Sequence, residues 1–117
     1  MKKQVFFVAI SFSIILASCT FEKVVPLPEG CNETVFYLKD VKPIIEAKCV
    51  TCHSSVPTYL NAADFTNYSI IKEKIDDGSF KNRVFNLKDM APSGSNQLTE
   101  MELAKLRCWL GQGAHNN

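Results

Sequence analysis

The chain has 117 residues, 46% of them hydrophobic, with a formal net charge of +1 and five cysteines. That length suits one domain with one modest core. A near-neutral balance with no basic patch argues against nucleic acid as a partner.

Lys2 and Lys3 stand ahead of an apolar run from Val5 to Ala17, interrupted only by Ser11 and Ser13. The run has the length of a signal-peptide core and is too short to span a bilayer as a helix. It ends in Leu16-Ala17-Ser18-Cys19, which resembles the bacterial lipobox. That resemblance implies that residues 1–18 are removed and that Cys19 carries the lipid. An uncleaved anchor, or an ordinary secretory signal with a chance cysteine, is the plainer alternative. Two or more acyl chains make such an attachment stable. Thr20, rather than Asp, follows the cysteine, which favours the outer membrane if the host is Gram-negative; in either case the protein is expected on the periplasmic side. Cleavage leaves 99 of the 117 residues, and losing Lys2 and Lys3 takes the formal charge from +1 to −1.

Residues 19–34 form the lipid anchor and tether, with little periodicity and with Pro26, Pro28 and Gly30. The domain proper is expected over 35–117. A first helix is expected from Val41 to Cys49, with Asp40 as N-cap and Pro43 in the first turn, where its missing N–H is harmless. Val41, Ile44, Ile45 and Cys49 give it one apolar stripe. A shorter helix is expected from Asn67 to Ile75, with Tyr68, Ile71 and Ile75 on one side and Asp76-Asp77-Gly78 ending it. The last helix runs from Glu100 to Leu110. Thr99 and Glu102 make a capping box ahead of it, and Leu98 and Leu103 a hydrophobic staple. Leu103, Leu106 and Leu110 form its stripe, widened by Trp109, and Gly111 and Gly113 suit its exit. With no hairpin or βαβ pattern, the fold class is all-α.

Cys49-Val50-Thr51-Cys52-His53 is the C-x-x-C-H pattern of c-type haem attachment. Two thiols three positions apart on a turn can each add to a vinyl group on one porphyrin edge. The next residue, His53, is then directed to the iron as the proximal ligand. A redox dithiol would need a βαβ setting, and a zinc site would need a fourth ligand from Cys31, Cys108 or His115. For the second axial position, Met1 is in the removed segment, Met101 sits in the first turn of the last helix and His115 in a frayed tail. Met90 remains, in a loop where Pro92 and Gly94 can hold a thioether rigidly, although a lone Met is more often core packing. With Cys19, Cys49 and Cys52 assigned, Cys31 and Cys108 are left for a disulfide in an oxidising compartment, free thiols being the alternative.

Together these residues resemble class I cytochrome c. More narrowly, Val41-Lys42-Pro43-Ile44-Ile45 leading to Cys49, with Trp109-Leu110 and Gly113-Ala114 at the other end, are similar to small monohaem lipoprotein cytochromes of bacteria. The resemblance spans Val35 to Ala114, and residues 54–86 add nothing specific to it. It implies a cytochrome c-like fold in which the first and last helices cross beside one covalent haem c, with Leu106, Trp109 and Leu110 as core residues. The first helix lacks the glycine common at that crossing, Ala47 being the nearest small residue, and Ala91 replaces a proline after Met90. Cys108 faces away from the apolar stripe, so a bridge to Cys31 would clamp the N-terminal arm across the outer side of the last helix. The implied function is single-electron transfer rather than enzymatic catalysis, with a redox protein or a membrane electron-transfer complex as partner. A haem sensor or peroxidase-like enzyme with an open sixth position is the alternative, and a haem-free lipoprotein with all its cysteines in disulfides a third. Arg83 is expected either solvated or at a haem propionate.

Overall fold

The computed structural model describes residues 29–56, 61–90 and 96–117. The signal segment, Cys19, Pro92 and Gly94 lie outside the described residues. The protein is all-α, 51% helix with no strands among the described residues.

The first helix starts earlier than its sequence suggests. A widened turn over Tyr37–Val41 leads directly into α1, Lys42–Lys48. In that turn the N–H of Val41 donates to Phe36 O, five residues back. The widening lies just ahead of Pro43, whose ring lacks an N–H and would crowd the carbonyl four residues earlier in a regular helix. Asp40 is therefore inside the helical run, and the N-cap of α1 is Val41, with no side-chain cap. The Asp40 carboxylate instead accepts the Phe36 N–H at 3.1 Å and pairs with Lys105 Nζ at 3.3 Å.

Helix α2, Tyr68–Asp76, is capped by Asn67, whose side chain accepts the Ser69 N–H, and ends before Gly78 at φ +80°. A short α3, Ser79–Lys81, and a second widened turn, Asn82–Asn86, follow. Sequence reading left this stretch unassigned, although Phe80 and Val84, four residues apart, both point inward. Helix α4, Glu100–Gly111, carries the full Thr99–Glu102 capping box. Its exit uses the left-handed conformation at Gly113, φ +94°, and two backbone bonds: Gly113 N–H to Leu110 O and Ala114 N–H to Trp109 O.

One core holds these elements together. Val41, Ile44 and Ile45 meet Ile71 of α2, Phe80 and Val84 of the α3 segment, and Leu106 and Trp109 of α4. At the crossing of the first helix and α4, Tyr37 stacks on Trp109, with centroids 5.5 Å apart, and meets Tyr68 edge-on at 4.9 Å. The segment after α4 is not frayed. Ala114 is 1% exposed, Trp109 Nε1–H donates to His115 O at 3.0 Å, and Tyr68 O–H donates to Ala114 O at 2.6 Å. Asn117 accepts the N–H groups of Tyr37 and Leu38, two donors that the opening turn cannot satisfy internally.

Cys31 and Cys108 are joined, with Cα atoms 5.4 Å apart. The arm they fasten is held a second time by Gln112. Its Oε1 accepts the Val35 N–H at 2.9 Å and its Nε2 donates to Glu33 O at 2.8 Å. Residues 31–34, the last part of the expected tether, thus lie against α4. Among the described residues, no helix is long and apolar enough to cross a membrane.

Candidate haem-attachment site

The first helix delivers its last turn straight into the cysteine motif. Cys49 N–H and Val50 N–H both donate to Ile45 O, and Cys52 N–H and His53 N–H both return to Cys49 O, at 3.1 and 2.9 Å. This tight turn fixes the backbone of all three motif residues. Cys49 and Cys52 are free thiols, each partly buried. Cys49 packs against the core, and burial, with Cys52 and Glu102 nearby, pushes its thiol up to about 11.

His53 is braced by a segment that sequence reading did not connect to it. Its Nδ1 lies 2.9 Å from Ala63 O. A carbonyl can only accept, so Nδ1 carries the proton, and in the neutral ring Nε2 keeps its lone pair. Phe65 N–H donates to His53 O at 2.9 Å, and the Phe65 ring lies over the imidazole at 4.4 Å with the planes 9° apart. Phe65 in turn leans on Phe80 at 6.1 Å, which links the imidazole to the core. A hydrogen bond on one ring nitrogen, with the other free, is how a metal-binding histidine is oriented and made more basic. The donor set therefore fits a haem attached at Cys49 and Cys52 with His53 Nε2 toward the iron.

Met90 is half-buried and packs on the core from the segment after α3. Arg83 fixes the residue before it: its Nε donates to Asp89 Oδ1 at 2.7 Å, and Asp89 N–H donates to Arg83 O at 3.2 Å. Arg83 is thus paired with Asp89. Residues 57–60 and 91–95, which adjoin the His53 and Met90 segments, lie outside the described residues.

The zinc alternative loses two of its possible ligands to the Cys31–Cys108 bond. Among the described residues no three His, Cys, Asp or Glu side chains gather as a metal ion would need. Two cavities lie apart from the motif's ligands. One, of about 290 Å³, sits between residues 31–35 and Trp109; the other, of about 170 Å³, lies between Tyr37, Val50 and Phe65. Compared with protein-family models, with curated proteins and with solved structures, the chain finds no match.

Proposed function

We propose that this chain is an exported, lipid-anchored c-type cytochrome that carries single electrons through one haem attached at Cys49 and Cys52. The observation that carries the reading is the presentation of His53, with Nδ1–H bonded to Ala63 O and the ring held under Phe65, in a turn that also carries two unlinked thiols; among the described residues Nε2 has no hydrogen-bond partner. When bound, the haem supplies a one-electron iron couple, and thioether ligation with burial favours the ferrous form. The chain's own residues do the rest. Cys49 and Cys52 would make the attachment permanent, His53 would offer the iron a nitrogen in a fixed tautomer, and Met90 would supply the second protein ligand. The resemblance to class I cytochrome c supports the same assignment, with the first helical run meeting α4 through its Tyr37–Val41 turn. With both His53 and Met90 bound, the iron would have no position left for substrate, which is why electron transfer ranks above catalysis. The lipobox-like Leu16-Ala17-Ser18-Cys19 supports anchoring through Cys19, with a redox protein or a membrane electron-transfer complex as partner.

The test is the visible spectrum of the protein matured in cells that attach haem c, oxidised and reduced. Sharp reduced bands, with a weak far-red ferric band that disappears in Met90→Ala, are expected. High-spin bands with ready carbon monoxide binding would move the reading to a haem sensor or peroxidase-like enzyme. A colourless product, alongside a coloured control cytochrome, would refute haem attachment altogether. Incorporation of labelled fatty acid by the wild type and not by Cys19→Ser would establish the anchor.

A further inference from the structure

One short segment, residues 63–65, meets His53 in three ways. Nδ1–H donates to Ala63 O at 2.9 Å, and Phe65 N–H donates to His53 O at 2.9 Å. The Phe65 ring also lies over the imidazole at 4.4 Å, with the planes 9° apart. These contacts do different things. The backbone bond fixes where the two chain segments meet, and the Nδ1 bond fixes the direction of one ring edge. A ring held by a single hydrogen bond can still swing about the Nδ1···O line, because a carbonyl accepts over a broad range of angles. A flat neighbour in van der Waals contact removes that swing, since rotation would drive the edge of one ring into the face of the other.

Phe65 can serve as a reference plane only if it is held in turn. Its ring leans on Phe80, 6.1 Å away with the planes at 44°, and Phe80 is 3% exposed in the core. On the backbone side, the Asp64 carboxylate accepts Thr66 N–H at 3.0 Å and the Thr66 hydroxyl at 2.6 Å, which closes a side-chain turn around Phe65.

We propose that Phe65 is a positioning residue that sets the rotational angle of the His53 imidazole, and with it the plane that His53 would present to a haem iron. This rests on the haem reading above. An imidazole overlaps metal orbitals through the π system normal to its ring, so a ring kept at one angle would engage the same orbital in both oxidation states. Ligands that do not turn between those states suit a carrier of single electrons. The plainer role for Phe65 is packing alone, and Phe85 supplies the contrast. It too is partly buried against the core, but its ring faces the Arg107 guanidinium at 5.2 Å rather than the imidazole.

The experiment compares the matured wild type with Phe65→Leu, Phe65→Met, Phe65→Tyr and, as control, Phe85→Leu. Three quantities are read: the order of the haem methyl proton shifts in the ferric cyanide complex, the exchange rate of His53 Nδ1–H in the reduced protein, and the thermal midpoint. Cyanide is used because it is a rod with no plane of its own, so the imidazole is left as the one ligand that orients the shift pattern. Phe65→Leu and Phe65→Met are expected to change the order of the methyl shifts and to speed Nδ1–H exchange by about tenfold or more. Phe65→Tyr keeps the flat face and is expected to keep both at wild-type values. Phe85→Leu is expected to lower the thermal midpoint and to leave both unchanged. Should Phe65→Leu fail to accumulate, Phe65→Met decides alone. Wild-type methyl order and exchange in these variants, whatever their stability, would reduce Phe65 to packing and leave the haem reading standing. A wild type without haem bands would overturn both.

Discussion

Replacing both members of the Cys31–Cys108 bridge with serine should cost more stability than most other surface changes. The bond closes a ring of sequence separation 77. Treated as lost loop entropy in the unfolded chain, a ring of that length corresponds to about 4.5 kcal/mol, within the usual range of about 2–5 for native bridges in small secreted domains. The folded side changes little, because Gln112 still holds Val35 N–H and Glu33 O when the sulfurs are gone. The loss should therefore act through the unfolded state, leaving the spectrum and the arm's position intact. Thermal unfolding of Cys31→Ser/Cys108→Ser against wild type should show a fall of about 18 °C or more, taking roughly 4–8 °C per kcal/mol for a domain of this size. A loss below about 1 kcal/mol would refute the reasoning and mean that the arm is already ordered in the unfolded chain. Adding Gln112→Ala to the double serine variant should then free the arm, visible as rapid amide exchange at Val35.

Gly113→Ala should destabilise by about 1–3 kcal/mol, since a side chain at φ +94° is strained and its Cβ would sit 2.9 Å from His115 Nε2; unchanged urea unfolding would contradict this. Thr99→Ala removes one half of the capping box and should cost about 1 kcal/mol by the same assay, with α4 losing order from its first turn. The Phe36 N–H, helped by Lys105, holds the Asp40 carboxyl below the ordinary aspartate value of 3.8. A depressed folded value stabilises above the unfolded one and is lost as pH falls through the folded one. Asp40→Asn should therefore be less stable than wild type at neutral pH and converge on it in acid below 3.8, which a pH series of thermal midpoints would read.

Much of the scaffold was legible because its signals are local. The Thr99–Glu102 box needs only four residues, and helix α4 begins where that box puts it. Asn67 and Gly78 bracket α2 in the same way. The pairing of Cys31 with Cys108 followed from counting cysteines, not from any geometric signal. What stayed hidden is long-range or unusual in backbone. The turn at Tyr37–Val41 has no propensity signature, so Asp40 read as a cap when it serves an earlier N–H. Ala63 has no side chain that could announce its carbonyl as the partner of His53. Phe65 and Phe80 could have been noticed as spaced aromatics, but their link to the imidazole depends on how residues 63–65 fold back. Lys48 carries no local signal at all, because its partners lie 48 and 49 residues away.

Trp109 is the sole tryptophan, is 1% exposed, and lies against Tyr37 at the crossing of the first helix and α4. The protein therefore carries its own optical gauge of that one contact. Emission from a single indole in an apolar setting shifts to longer wavelength when water reaches it, and Trp109 is covered by Tyr37 on one side and by residues 31–35 and His115 on another. In the haem-free protein a fluorescence trace thus reports loosening of the packing around one residue of α4, with no second indole to blur the record.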